Sequence, residues 1–474
     1  MVMLSQGAGG AAVVDLQNQL IQLGFLPGAA DGSFGPATAQ AVRDLQRRLL
    51  LRPDGVVGPL TAAALAAAVA ATPPAPTSPY RALRREGADQ EAQGQASDDH
   101  LPWLDRGIGS SPFRSQLPRY AERLASPPTS DQLRPYPDPS GNFAAWPAHG
   151  VVPPIQGGRD GRGGLEFLSD AVSQACLCVG SGAADRPLRL RWYGRRALED
   201  NVQFWSATKF VAALQLVCQA NRRSPGTPIG LCQVRAGDGS AAAPFGQLVT
   251  DMVSYAKESQ RSGSSNAIGY MLKLLRNPGE ADVQTWLRAL TGNPRLTLLG
   301  RYGFDPLFAA AELVGPAGPL VGHRPIAPTR NLVSAYDLVR VLAMLGWHHL
   351  LPADGRLPGA QWGSLATVVE GLGHDTARYL DGALERLGLL NAVAEPVILS
   401  KMGYGAETGD AGIDALSYAA FASFQDTRQS PRRQRSFAFA LRIPTRPGRG
   451  VADDARMAAE VTEIVRRIFA EEIR

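Results

Sequence analysis

Phe204-Trp205-Ser206-Ala207-Thr208-Lys209-Phe210-Val211 decides how the rest of the 474-residue chain is read. Ser206 opens an apolar-periodic segment running into Asn221. The pattern predicts a helix that begins at the serine and carries Lys209 one turn on, with both side chains on one face. A serine hydroxyl is a poor nucleophile until a base removes its proton, and a helix N-terminus favours a developing oxyanion. A neutral lysine amine can be that base, whereas an arginine guanidinium stays protonated. The distinction is informative here, because lysine occurs only at 209, 257, 273 and 401, so that 44 of the 48 basic residues are arginine.

Ser254-Tyr255-Ala256-Lys257 is a second S-x-x-K, so the pattern alone is weak. Ser254 reads as lying inside a helical run, where its hydroxyl meets no free backbone donors, and it is set aside. Two further elements follow the first serine in order. Ser264-Ser265-Asn266 sits in a Ser/Gly-rich loop entering a helix with Ala267, Ile268, Met271 and Leu272 on its apolar face. Lys401-Met402-Gly403 ends the strand Val397-Ile398-Leu399-Ser400. Working outward, 165–173 reads as helical, 175–179 and 188–193 as strands, and 334–345 as an amphipathic helix. Segments 396–401, 416–425 and 436–443 read as three strands with hairpin-like connections, before an amphipathic helix over 452–471. Two strands, a helical block, three strands and a helix predict an α+β domain over 163–474, with one antiparallel sheet built from both ends of the segment.

Order, spacing and context of these three elements resemble the class A β-lactamase and penicillin-binding-protein family of serine hydrolases, which carries S-x-x-K, S-D-N and K-T-G in that sequence. The resemblance implies Ser206 as the acylated nucleophile and Lys209 as its base or proton relay. It implies that Ser264 passes a proton to the leaving group, that Asn266 holds a substrate amide, and that Lys401 raises the local positive potential and helps to keep Lys209 neutral. The oxyanion hole it implies uses the backbone N–H groups of Ser206 and of Tyr404, the residue after Gly403. Two positions depart from the family pattern. Met402 stands where the family usually has Thr or Ser, which removes a hydroxyl that helps to bind a substrate carboxylate. Between Asn266 and the 334–345 helix the only glutamates are Glu280 and Glu312, and neither has an Asn four residues later, so the deacylating base of the class A loop is missing. An enzyme without an oriented water would acylate quickly and hydrolyse slowly, behaving as a transferase, a slow esterase or a covalent binder.

At the other end of the chain, Asp31-Gly32-Ser33-Phe34-Gly35-Pro36-Ala37-Thr38 and Asp54-Gly55-Val56-Val57-Gly58-Pro59-Leu60-Thr61 share the form D-G-x-x-G-P-x-T. Each copy supplies turn glycines and a proline fit for the first turn of a helix, over 37–50 and 60–69. A preceding helix carries Val14, Leu16, Leu20, Leu23 and Phe25 and ends at Gly24. This small three-helix bundle resembles the peptidoglycan-binding domain 1 family, which implies that residues 8–70 bind peptidoglycan or a related polymer. Residues 71–162 read as a Pro-rich linker followed by an irregular extension, whose Trp103, Phe113, Tyr120, Phe143 and Trp146 suit packing on the next domain.

Composition sets the boundaries of these readings. With 45% hydrophobic and 19% charged residues the chain is too apolar for disorder and too long for one ordinary core. A net charge of +5 without a dense Lys/Arg block gives no nucleic-acid footprint. No apolar run is long enough to span a membrane. Cys176, Cys178, Cys218 and Cys232 are too few and too loosely spaced for a disulfide scaffold or a zinc site, and read as core thiols. His323, His348, His349 and His374 offer the rival Ser-His-Asp mechanism, but no G-x-S-x-G elbow occurs, and the His348-His349 pair lacks metal-site spacing. No cofactor or metal is expected. Residues 1–10 show no secretory signal, while the domain content points to the cell envelope or periplasm. The sequence therefore reads as a cell-wall-associated serine hydrolase or acyltransferase acting on a small acyl or peptide substrate. The alternative is a non-catalytic peptidoglycan-binding scaffold or sensor.

Overall fold

The computed structural model describes residues 3–23, 25–26, 30–71, 78–92, 101–138, 141–157, 164–255, 263–406, 414–445 and 450–473. The chain divides into two compact units, Met1–Thr77 and Ser78–Arg474.

In the first unit, α1 (Ala11–Gln22), α2 (Pro36–Arg48) and α3 (Pro59–Ala71) enclose Val13, Leu16, Leu20, Phe34, Val42, Leu45, Val57 and Leu65. The repeated loops have one construction. Gln17 Nε2 on α1 donates to Asp31 Oδ1 (2.7 Å), Ser33 O (3.0 Å) and Thr38 Oγ1 (3.1 Å), and its Oε1 accepts from Gly32 N–H at 2.8 Å. Gln46 on α2 repeats the pattern with Asp54 (2.8 Å), Val56 O (3.0 Å), Thr61 (3.1 Å) and Gly55 N–H (2.9 Å). Gly32 and Gly55 both adopt the left-handed conformation, with φ of 73° and 77°. The motif residues therefore close the loops from inside by saturating a buried glutamine.

The second unit is α+β. Its main sheet comprises β1 (Ala144–Ala145), β2 (Ile155–Gln156), β3 (Gln174–Ala183), β4 (Arg186–Arg195), β5 (Val393–Ala406), β6 (Asp414–Asp426) and β7 (Arg433–Thr445), in the order β1-β4-β3-β7-β6-β5. β2 adds to β4 in parallel, and the other pairings are antiparallel. The strands from before and after the helical block thus meet at the β3–β7 ladder, as the order of strands predicts. β5 is an edge.

Between β4 and β5 come α6 (Phe210–Arg223), α7 (Phe245–Val253), α8 (Ser265–Lys273), α9 (Val283–Thr291), α10 (Ala335–Gly346), α11 (Trp362–Gly373) and α12 (Tyr379–Arg386), and α13 (Gly450–Phe469) closes the chain. α10 packs on β3, β6 and β7. Its start is fixed by a capping box in which Ser334 and Asp337 bond each other's backbone N–H groups. α13 packs on β6 and β7, and on α4 (Ser78–Ala92), while α5 (Tyr120–Ala125) packs on α11 and β5. A short three-stranded sheet joins Val202–Gln203, Thr297–Leu298 and Asn331–Val333.

Several local expectations need correction. Residues 165–173 are not helical, because Arg195 draws their carbonyls aside: its guanidinium donates to Leu165 O (3.0 Å), Leu168 O (2.7 Å) and Ser169 O (2.6 Å), groups that a helix would direct along its own axis. Ser206 lies in a 3-10 turn over Trp205–Thr208, and the α-helix proper begins at Phe210. Ser254 is the C-cap of α7 rather than a helix-interior residue, and Lys257 lies outside the described residues. Within the Pro-rich linker read at the start of 71–162, Ser78–Ala92 is a helix whose Tyr80 and Leu83 are buried, with the Tyr80 hydroxyl donating to Glu460 Oε1 at 3.2 Å. In the extension, Trp103, Phe113, Tyr120, Phe143 and Trp146 are buried in the same core as the sheet.

One buried carboxyl ties the extension to α13. Asp454 accepts from Trp103 N–H (2.8 Å), Leu104 N–H (3.1 Å) and Tyr379 Oη (2.6 Å), and burial pushes its pKa up to about 7. Because the folded carboxyl holds its proton to higher pH than the unfolded one, Asp454 lowers stability as pH rises from about 4 to about 7, by roughly 4 kcal/mol at most. Asp454→Asn removes that titration. The Tm deficit of the variant is therefore expected to narrow from pH 5 to pH 8, and a deficit independent of pH would contradict the assignment.

Candidate active site

A cleft of about 360 Å³ is lined by Ser206, Lys209, Ser264, Ser265, Asn266, Lys401, Met402 and Tyr404, closed on one side by Leu101, Leu104, Asp105 and Tyr255. Three segments far apart in sequence converge there. The Trp205–Thr208 turn supplies Ser206 and leads into Lys209. The start of α8 supplies Ser264, Ser265 and Asn266, with Ser264 as the N-cap whose Oγ accepts from Asn266 N–H at 3.3 Å. The edge strand β5 supplies Lys401, Met402 and Tyr404.

Two glycines bring the edge strand against the turn. A Cβ on Gly403 would stand 2.2 Å from Phe204 O and 2.8 Å from Ala207 N, and one on Gly405 would stand 2.8 Å from the Trp205 ring. Ser417 on β6 fastens the contact, its hydroxyl donating to Phe204 O at 2.7 Å with Gly403 O at 3.1 Å. The Ser206 backbone is thereby set beside β5 at Gly403-Tyr404. Trp205, immediately before the serine, has φ of 50°, a strained value for a bulky residue, held in place by this packing.

Lys209 is 1% exposed. Burial pushes its amine well below the ordinary lysine range, and the Lys401 and Lys273 amines push it further the same way. Its Nζ donates to Asn266 Oδ1 at 2.5 Å and to Ser265 Oγ at 2.9 Å. Ser265 in turn donates to Met252 O at 2.6 Å. The Ser206 hydroxyl is half-buried and has no hydrogen-bond partner among the described residues. Lys401 is also buried, with its Nζ 3.8 Å from Asp375 Oδ1, and Asp375 Oδ2 accepts from Ser400 Oγ at 2.9 Å. Burial shifts both members of this pair toward their neutral forms, lowering Lys401 and raising Asp375. The cleft can thus hold an unprotonated amine within the same cavity as an unengaged hydroxyl.

Some groups at the site have no clear mark in the sequence. Ser265 hides inside the S-x-N element, where spacing favours its neighbours. Lys273 and Tyr302 lie behind Lys209 with their contact to it made through tertiary packing, although the rarity of lysine in the chain was a usable signal for Lys273. Asp375 and the 101–105 strap reach the site from distant segments. Tyr255 closes the strap by donating to Asp105 and to Leu104 O at 3.3 Å.

Among the described residues, no histidine lines the cleft. His348 and His349 pack on each other and on Trp362, and burial lowers the His348 pKa to about 4. All four cysteines are free and buried. Among the described residues, no cluster of three or more His, Cys, Asp or Glu could hold a metal ion, and no helix is long and apolar enough to cross a membrane.

Residues 9–65 match the family model described as "Putative peptidoglycan binding domain". The chain is similar to two proteins of Bacillus licheniformis, a probable N-acetylmuramoyl-L-alanine amidase (44% identical over 71 residues) and N-acetylmuramoyl-L-alanine amidase CwlL (48% over 66 residues). These matches cover 15% and 14% of this chain and 20% and 18% of the relatives, so the chain spans about a fifth of the length of these two curated relatives. Among solved structures it is similar to the TLA-3 extended-spectrum β-lactamase (11% identity, 65% of this chain and 96% of that one, TM-score 0.40). It is also similar to a β-lactamase from Streptosporangium roseum (14% identity, 65% and 97%, TM-score 0.36).

Proposed function

We propose that the chain is a cell-wall-associated serine hydrolase or acyltransferase that works through an acyl-Ser206 intermediate. The observation that carries this reading is the convergence of a free hydroxyl, a buried amine, an amide and a second amine in one cleft. Lys209, unprotonated, takes the Ser206 proton as the oxygen attacks a substrate acyl carbon. The oxyanion that forms is met by the backbone N–H groups of Ser206 and Tyr404; the close approach of Gly403 to the turn at Phe204 and Ala207 supports this assignment. Collapse of the tetrahedral species breaks the bond to the leaving group, which departs with a proton passed through Ser264. Because Asn266 Oδ1 already accepts from Lys209, its Nδ2 is the group left to donate to a substrate carbonyl. Transfer of the acyl group to water or to an amine or hydroxyl acceptor regenerates Ser206.

Residues 9–65 support attachment to peptidoglycan, and with it a place at the cell envelope. Tethering the cleft to polymer raises the effective concentration of stem peptides or esters around it. A second reading, a non-catalytic wall-binding scaffold, draws on one observation: Lys209 Nζ engages Asn266 and Ser265 rather than Ser206. Catalytic hydrogen bonds are often unformed before substrate arrives, which is why we prefer the enzyme.

Incubation of the full chain with a fluorescent fluorophosphonate, and separately with a fluorescent penicillin, tests the choice. A covalent adduct with either reagent is expected, and none with both supports the scaffold. Retention on purified sacculi is expected for the full chain and lost on deletion of residues 1–70, while equal retention of both would remove the wall-binding role.

A further inference from the structure

A second buried amine stands behind the cleft. Lys273, at the end of α8, is 2% exposed, and its Nζ donates to Gly300 O at 3.0 Å and to Asn331 Oδ1 at 2.7 Å. It also lies over the Tyr302 ring, 4.1 Å from the centroid, and Lys209 Nζ lies 5.1 Å from the same centroid. The ring is fixed by the Tyr302 hydroxyl, 2.8 Å from Thr208 Oγ1, while Thr208 donates to Trp205 O in the turn that carries Ser206. Gly269, on α8 between Asn266 and Lys273, leaves the space open: a Cβ there would stand 3.0 Å from Lys209 Cδ and 3.3 Å from the Tyr302 ring. Asn331 also accepts from Gly300 N–H at 2.9 Å, so the segment bearing Tyr302 is pinned where it meets Lys273.

We infer that Lys273 is a positioning residue for acylation, an ammonium held by Gly300, Asn331 and the face of Tyr302 that keeps Lys209 in the neutral form able to take the Ser206 proton. This rests on the proposed acyl-enzyme reading and goes beyond it by naming a group outside the cleft. Burial disfavours the charge on both amines. The two are not equivalent, however. Lys273 has two carbonyl oxygens and the nearer ring face to hold its proton. Lys209 has one such oxygen, one hydroxyl, and two neighbouring amines acting against its charge, Lys401 from β5 and Lys273 from α8. Among the described residues, the other titratable groups facing this region are Tyr302, Asp375 beyond Lys401, and Asp105 with Tyr255 on the cleft wall. With two amines sharing one buried ring, the better solvated by protein oxygens keeps the proton.

The test is the pH profile of adduct formation by the full chain with the fluorophosphonate. In the parent the rate rises with pH as Lys209 loses its proton. Lys273→Met removes the opposing charge, so the acidic limb is expected to move up by about one pH unit, a roughly tenfold loss below the limb, with the high-pH plateau within threefold of the parent. Lys273→Gln keeps a donor for Gly300 and Asn331 without the charge and moves the limb in the same way, whereas Lys273→Arg restores the parent profile. Neutral variants whose limb coincides with the parent's, or which lower the plateau without moving the limb, would overturn the inference. A parent that forms no adduct would overturn the acyl-enzyme reading and this inference with it, a result distinct from an unmoved limb.

Discussion

Ser206→Ala is expected to abolish the covalent adduct with both the fluorophosphonate and the penicillin while leaving the chain folded. The hydroxyl has no hydrogen-bond partner among the described residues, so its removal orphans no buried group, and the stability change falls within about 0.5 kcal/mol. The surrounding geometry does not depend on it either. The turn is held by Ser417 on Phe204 O and by the close approach of Gly403 and Gly405, none of which involves Ser206 Oγ. Loss of signal in a variant with an unchanged Tm therefore reports chemistry alone. An adduct that persists at the parent rate would transfer the nucleophile to Ser264 or Ser265, of which Ser265 already accepts from Lys209 at 2.9 Å.

Lys209→Met is expected to slow acylation by about 10² to 10⁴, the usual contribution of a positioned general base. Methionine matches the length of the buried stem and removes a desolvated amine, so the fold is retained or gains stability, although Asn266 Oδ1 loses its donor. Lys209→Arg is no rescue, since a guanidinium stays protonated where the amine does not. The parent rate should rise with pH along a limb set by the lowered Lys209 pKa, because only the unprotonated amine can accept a proton. In Lys209→Met that limb disappears. Stopped-flow or quenched labelling across pH measures both effects, and a Met or Arg variant acylating at the parent rate would contradict the role given to this amine.

The legible and illegible parts of the molecule differ in the range of the interactions that fix them. Ser206 and Lys209, and Ser264 and Asn266, stand out because each short pattern sits at a turn entering a helix that periodicity reveals; Lys401-Met402-Gly403 follows an apolar strand, and where it reads as that strand's end it lies within β5, which runs on to Ala406. Their meeting in one cleft follows from a sheet closed by both ends of the segment, which the order of strands also shows. The repeated D-G-x-x-G-P-x-T is legible as a repeat, while its physical basis is not: Gln17 and Gln46 lie on the preceding helices, outside the motif. The helix α4 has too few apolar residues to show a period, since burial of Tyr80 and Leu83 and packing on α13 suffice to dock it. Residues 165–173 mislead in the opposite direction, having helical spacing and an arginine elsewhere in the chain that takes their carbonyls. Lys273, Tyr302 and Asp375 belong to the same class, as their importance arises only from burial beside other charges.

The direct measurement is to trap the parent chain with an acyl donor or the fluorophosphonate, digest it, and locate the modified residue by tandem mass spectrometry. The account predicts a single adduct on the peptide bearing Ser206, bonded through that residue's oxygen. A modification on Ser264, Ser265 or a residue outside the cleft, or an unmodified chain at saturating reagent, would contradict it.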